Sequence, residues 1–388
     1  MSRYKPAIVV AAYDRPQSLE RLLNAVKNAR KISGARLVIS IDNKAPDNFP
    51  VRELAQRYKW PHGEKEVLYQ PQHLGLRKHI LQCGDLAMEF GAVIILEDDL
   101  YSSPYFYDYA IKALEYYDED PQIGGISLYN QPIQEISQYP FSSINDSSDV
   151  YFLKFPSSLG QAWTADQWKV FKSWYENRPD LAEIAIPRFI RNNWPETSWK
   201  KYFCGYLVET DKYFVFPRIS FTTNFNDPGS NLKKLVNHQG QTPLRLFGGP
   251  YRFRKLTDSY AVYDQYLELE PACIKILNPS LVEYPFEMDL YGTKEIESFS
   301  SSMVITLKNG SNPIRSYKRA LKPHEMNIIF DLPGEDFHLY NKEDILPEKG
   351  KHIRRVDNYK YFYSRNILGW KAQLYNYYLK LKYRILRK

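Results

Sequence analysis

The sequence predicts an α/β fold: a mostly parallel sheet flanked by helices, then a smaller C-terminal α+β region and a basic terminal helix. Three observations carry this. Residues 92–96 are an unbroken apolar run, the pattern of a strand buried on both faces. Strand-like and helix-like periods alternate through the first half, as repeated βα units do. Beyond about Gly240 that alternation fades, and short alternating stretches replace it.

Residues 7–12 form a short buried strand, and Asp14-Arg15-Pro16 turns the chain into a helix. Leu19, Leu22, Leu23, Val26 and Ala29 repeat there at helical spacing. Residues 37–41 are the second strand, ending in Asp42. Residues 51–58 are helical and 66–69 a third strand. A helix over 74–90 leads into the 92–96 strand. Residues 105–117 form the next helix, and 123–129 the next strand. Residues 131–149, rich in Pro, Ser, Gln and Asn, read as a long loop. A helix resumes over 166–175, and a strand over 213–222 runs into the turn signal Asn226-Asp227-Pro228-Gly229. Residues 302–307 and 327–330 read as strands. The expected division is 1–239, 240–357 and 358–388, with no internal repeat.

The 92–96 strand ends in Glu97-Asp98-Asp99-Leu100. Three adjacent carboxylates cannot be buried unpaired without a large desolvation cost. They therefore belong at the carboxyl edge of the sheet, where open α/β folds place ligands. So close together they repel one another unless a cation sits among them, and a divalent ion bridging to a diphosphate accounts for the motif. An acidic helix cap is the plainer alternative, because Ser102-Ser103-Pro104 opens a helix just downstream.

Composition narrows the class. Among the 388 residues 44% are hydrophobic, enough for an ordinary core, and the 32 tyrosines suit interfaces and sugar clefts as well as a Tyr-rich codon bias. The net charge of +7 is local: after Asp357 there are eight bases and no acid, so the rest is near neutral. That argues against a general nucleic-acid binder. Cys83, Cys204 and Cys273 lack CxxC spacing, which removes a thiolate zinc site and a disulfide framework and fits a reducing cytoplasm. No signal peptide and no membrane-spanning run is read, so the expected location is cytoplasmic. In 367–388 leucines and tyrosines interleave with bases. Two readings stand: a helix lying on the anionic inner face of the membrane, or a terminal helix packed on its own domain.

Taken in order, these motifs resemble the GT-A (Rossmann-like) glycosyltransferases, specifically the N-acetylglucosaminyltransferase I family and related bacterial polysaccharide glycosyltransferases. The resemblance spans residues 7–231. It implies that Glu97-Asp98-Asp99-Leu100 binds Mn2+ or Mg2+ under a nucleotide diphosphate, with Asp99 the direct ligand, Glu97 beside it and Asp98 facing the donor. It also implies that Arg15 lies near the nucleotide and that Asp42 accepts from a uracil ring. Alone, Asp42 would read as an Asx-turn or a helix cap.

Leu74-Gly75-Leu76-Arg77-Lys78-His79 matches the stretch whose basic residue and histidine face the nucleotide-sugar, giving Arg77 and His79. Ser158–Trp163 resembles the floor of the sugar pocket, where Trp163 either stacks on the sugar or sits in the core. Trp194-Pro195-Glu196-Thr197-Ser198-Trp199-Lys200-Lys201-Tyr202 lies where the family has a Trp-Asp-Asp-Trp motif holding the catalytic base. Lysines replace the aspartates, and a lysine is a poor base at neutral pH. Glu196 is the nearest carboxylate and Asp166 the next.

The implied activity is inverting transfer from a nucleotide-diphosphate sugar, a UDP-sugar, to a hydroxyl of a glycan or lipid-linked oligosaccharide in bacterial surface polysaccharide (capsule or O-antigen) synthesis. Two rivals remain. A sugar nucleotidyltransferase needs a Gly-rich loop after the first strand, and Ala11–Pro16 has no glycine. A degenerate, non-catalytic scaffold subunit would explain the lysines but not the intact acidic motif.

Overall fold

The computed structural model describes residues 2–44, 48–177, 181–227, 240–347 and 378. The basic segment 358–388, apart from Tyr378, and Pro228 and Gly229 of the turn signal lie outside the structural description.

The chain begins with β1 (Ala7–Ala12), α1 (Pro16–Lys27), β2 (Leu37–Ile41), α2 (Phe49–Arg57), β3 (Lys65–Tyr69), α3 (Leu76–Phe90) and β4 (Ala92–Glu97). It continues through β5 (Leu100–Ser102), α4 (Phe106–Tyr116), β6 (Ile123–Ser127), β7 (Val150–Leu153), β8 (Gln161–Thr164) and α5 (Ala165–Asn177). Then come α6 (Arg188–Asn193), α7 (Trp199–Glu209), β9 (Tyr213–Pro217), β10 (Thr222–Asn224) and β11 (Val262–Tyr263). The last described elements are α8 (Pro271–Leu277), β12 (Phe286–Asp289), β13 (Met303–Thr306), β14 (Arg315–Tyr317), α9 (Glu325–Ile329) and β15 (Phe337–Asn341).

The main sheet has the order β11-β7-β9-β6-β8-β4-β1-β2-β3 among the described residues. It is mostly parallel, as the sequence predicts: β3, β2, β1 and β4 run together, while β8 is antiparallel to both β4 and β6. β1, β2 and residues 92–96 of β4 are buried along their whole length, which is why they read as continuous apolar runs rather than alternating ones. A smaller sheet, β12-β13-β15-β14, forms the C-terminal region. The 244–263 stretch returns to the main sheet, where Val262 and Tyr263 pair with Phe152 and Leu153.

Three local expectations are corrected. The 213–222 strand breaks after Pro217 and resumes as β10, which pairs with β5. Residues 327–330 belong to a helical turn, α9, not to a strand. Its Asn327 is fully buried and bonds the backbone of Ala320, Leu321 and His324, closing the preceding loop locally. Finally, Val150 through Leu153 and Gln161 through Thr164 are sheet strands, each too short for periodicity to show.

Candidate active site

Parallel register brings the predicted residues to one edge. Ala11 is level with Glu97, and Ala12 with Ile41, so β1, β2 and β4 end together. Tyr13-Asp14-Arg15, Asp42 and the Glu97–Asp99 acids therefore leave the sheet side by side. Together with the start of α3 and Trp194, Pro195, Thr197, Ser198 and Lys200 they line a cleft of about 590 Å³, a volume suited to a nucleotide-sized ligand.

Arg15 sits between two of the acids. Its guanidinium donates to Asp98 and, at 2.9 Å, to Asp99 Oδ2. Asp98 is almost fully buried and also accepts the Tyr13 N–H at 3.3 Å. Burial pushes its carboxyl up to about 6, with Arg15 opposing the shift. Glu97 is raised further, by burial first and then by the neighbouring Asp99 and Asp98 charges. Burial and the neighbouring acids thus both oppose ionisation of Glu97 and Asp98, and Arg15 offsets only part of that.

Among the described residues no group of three or more His, Cys, Asp or Glu is arranged to hold a metal by itself. The donor set nevertheless fits a hard divalent ion: Mg2+ and Mn2+ take one or two carboxylates and complete their shells with phosphate oxygens and water. Glu97 and Asp99 both line the cleft.

Asp42 lines the cleft but is engaged within the chain. Its Oδ1 accepts the Asn43 and Leu74 N–H groups at 2.9 and 2.8 Å; its Oδ2 accepts the Gly75 N–H at 3.0 Å and lies 3.1 Å from His73 Nδ1. A carboxylate offers about four acceptor positions, so in this structure those of Asp42 are spent on fixing the approach to α3. That approach needs Gly75, whose φ of +75° opens the helix. His79, on the first turn, borders the cleft with its ring buried and Nε2 2.8 Å from Ser40 Oγ. Burial lowers its pKa to about 4, against an opposing pull from Asp42, so it is a neutral wall.

The structure places four further candidates away from the positions expected of them. Arg77 lies over the Tyr202 ring at 4.7 Å and is not among the residues lining the cleft. Trp163 is wholly buried among Trp168, Phe203 and Phe214, its indole N–H bonded to Gly124 O at 3.1 Å; it supports the sheet and meets no sugar. Asp166 follows β8, which is antiparallel to β4, so it stands exposed at the opposite end of the sheet from Glu97. Glu196 is exposed and held by two partners, Lys201 Nζ and, at 2.6 Å, Tyr202 Oη. Those hydrogen bonds hold its carboxyl below the usual range, the Lys201 bond most of all, which is the wrong direction for a base.

Two residues that sequence reasoning missed line the cleft: Lys200 and Glu135. Lys200 projects beside the Trp194 ring, 4.6 Å away, and its charge acts on Glu97. Its signal was the lysine in the expected aspartate position, which reads as charge for a diphosphate once it no longer has to be a base. Glu135 comes from the 131–149 loop, where nothing in the sequence marked it.

No family model matches the chain. A curated relative, the alpha-1,3-mannosyl-glycoprotein 2-beta-N-acetylglucosaminyltransferase of Arabidopsis thaliana, is 27% identical over 159 residues, 41% of this chain and 30% of the relative. The chain therefore spans under a third of that relative's length. Among solved structures, the mannosyltransferase PcManGT from Pyrobaculum calidifontis, in complex with GDP-Man and Mn2+, is 12% identical, covering 56% of this chain and 58% of that one at TM-score 0.33. S. aureus TarS 1–349 is 12% identical, covering 56% and 59% at TM-score 0.35. Over those 159 residues the chain is thus similar to a glycosyltransferase.

Proposed function

We propose that this protein transfers a sugar, with inversion, from a nucleotide-diphosphate donor (a UDP-sugar) to a hydroxyl of a glycan acceptor. The observation that carries this reading is the Glu97-Asp98-Asp99 edge, which lines a nucleotide-sized cleft together with Arg15 and Lys200. The curated relative's name, an N-acetylglucosaminyltransferase, supports the same reaction class. Arg15 fixes the acids, and Lys200 supplies positive charge where a departing diphosphate gathers negative charge. Glu97 and Asp99 would hold Mn2+ or Mg2+, which would neutralise the diphosphate when bound. His79 and the Asp42-locked Gly75 loop shape the wall on which the donor rests.

The acceptor belongs to bacterial surface polysaccharide synthesis in this reading, at the cytoplasmic face of the membrane. The support is the basic 358–388 segment of the sequence; no helix among the described residues is long and apolar enough to cross a membrane. Release of UDP from a panel of UDP-sugars, with Mn2+ and a mixed glycan acceptor pool, tests the activity. Turnover of one donor, abolished in Asp99→Ala, is expected. UDP binding without turnover of any donor would favour a scaffold instead.

A further inference from the structure

A second cleft, about 900 Å³, lies between α6, the Asp264–Tyr266 turn and the edge of the small sheet. Its contents point to a ligand. Thr293 and Arg191 line it; Thr293 Oγ1 and Arg191 Nε are buried without a hydrogen-bond partner, and each such group costs free energy until something pairs with it. Most of its charge is already answered within the chain: Lys294 by Asp264 at 2.6 Å, Arg188 by Glu295 at 2.9 Å, and Lys154 by Asp211 and Glu270 at 2.8 and 3.2 Å. Asn192 and Ser301 add an amide and a hydroxyl to its walls, while Gln265 Nε2 and Ser300 Oγ already donate to Ala185 O at 3.2 Å and to Glu287 Oε1 at 2.7 Å. That chemistry suits a neutral, hydroxyl-rich chain and does not suit a polyanion.

The second cleft adjoins the donor cleft. Glu135 lines the donor side and Ile136 the other; Trp194 lines the donor side and Asn193 the other. Consecutive residues on two separate segments thus form a shared wall. Gln134, fully buried, holds that wall: its Oε1 accepts the Ile136 N–H at 2.9 Å and its Nε2 donates to Tyr266 O at 2.8 Å. The Glu135 carboxylate, in contrast to Glu196, makes no ion pair and no hydrogen bond among the described residues.

We propose that the second cleft receives the acceptor glycan and that Glu135, on the wall between the clefts, takes the proton from its reacting hydroxyl. The inference rests on the glycosyl-transfer reading above. The acceptor oxygen gives its proton to the Glu135 carboxylate and bonds to the donor's anomeric carbon. The bond from that carbon to the diphosphate oxygen breaks, and its electron pair leaves with the nucleoside diphosphate. Gln134 is a positioning residue.

The test uses the full chain with UDP, Mn2+ and an array of defined neutral and anionic oligosaccharides. Wild type is expected to hold a neutral oligosaccharide. Asn192→Trp, which fills the second cleft from an exposed position, should weaken glycan binding at least ~10-fold while UDP binding stays within about 2-fold, because its contacts lie outside the donor cleft. Glu135→Gln should bind both ligands normally yet lose roughly 100-fold or more in transfer kcat, the usual scale for removing a general base. Unchanged glycan binding in Asn192→Trp, or unchanged kcat in Glu135→Gln, would overturn the assignment. So would a wild type that binds UDP and none of the arrayed glycans, which leaves the donor reading standing. A wild type that binds no UDP overturns the donor reading and this proposal with it.

Discussion

Lys201 holds Glu196 from beneath: its ammonium is buried, bonds Trp194 O at 3.2 Å, and closes an ion pair on a carboxylate that is itself 69% exposed. In the sequence, this pair occupies the position where a catalytic carboxylate was expected. The geometry makes it a brace for the segment that carries Trp194, Ser198 and Lys200 into the cleft. Glu196→Gln should therefore leave kcat within about 3-fold of wild type, since a general base is worth 100-fold or more. It should cost roughly 1–3 kcal/mol in urea denaturation, because it strips a buried cation of its partner. A kcat loss of a hundredfold would restore Glu196 as the base.

Lys200 predicts a diphosphate-specific defect. Lys200→Met should weaken UDP binding about 10-fold or more and leave uridine binding nearly unchanged, because the lost interaction is with phosphate charge. Paired titrations of UDP and uridine read the difference; equal losses for both would place Lys200 elsewhere.

His79 predicts a pH dependence. Its pKa falls from 6.5 to about 4 on folding, so between those values the unfolded chain binds more protons. The contribution is fully present above pH 6.5 and is lost as pH falls towards 4, amounting to about 3 kcal/mol. The difference in unfolding free energy between wild type and His79→Gln should shrink by that order between pH 7 and pH 4. A flat difference would mean that the ring is solvated.

Gly75 predicts a coupling between backbone and site. Gly75→Ala forces a side chain into φ +75° at a cost of about 1–2 kcal/mol. It also loosens the loop that Asp42 grips, so UDP affinity should fall together with Tm. A lower Tm with unaltered affinity would separate the loop from the donor site.

The sequence made the sheet and its edge legible because both depend on local patterns. Continuous apolar runs gave β1, β2 and β4 within a residue of their observed ends, and the carboxylates could only lie where a buried strand stops. Roles that depend on long-range pairing were not legible. Asp42 has the right residue type, but its oxygens are taken by Leu74 and Gly75, thirty residues on. Asp166 follows a short strand whose antiparallel direction no local pattern reveals, and that direction puts it at the wrong end of the sheet. Glu135 sat in a loop without motif, and only the meeting of two clefts singles it out.

The central claim is a metal-assisted nucleotide site on Glu97-Asp98-Asp99. Calorimetric titration of UDP into wild type and Asp99→Ala, with and without Mn2+, tests it most directly. The account predicts binding that Mn2+ strengthens in wild type and fails to strengthen in Asp99→Ala. Wild-type protein that binds no UDP under either condition, or a variant with the same Mn2+ enhancement as wild type, would contradict it.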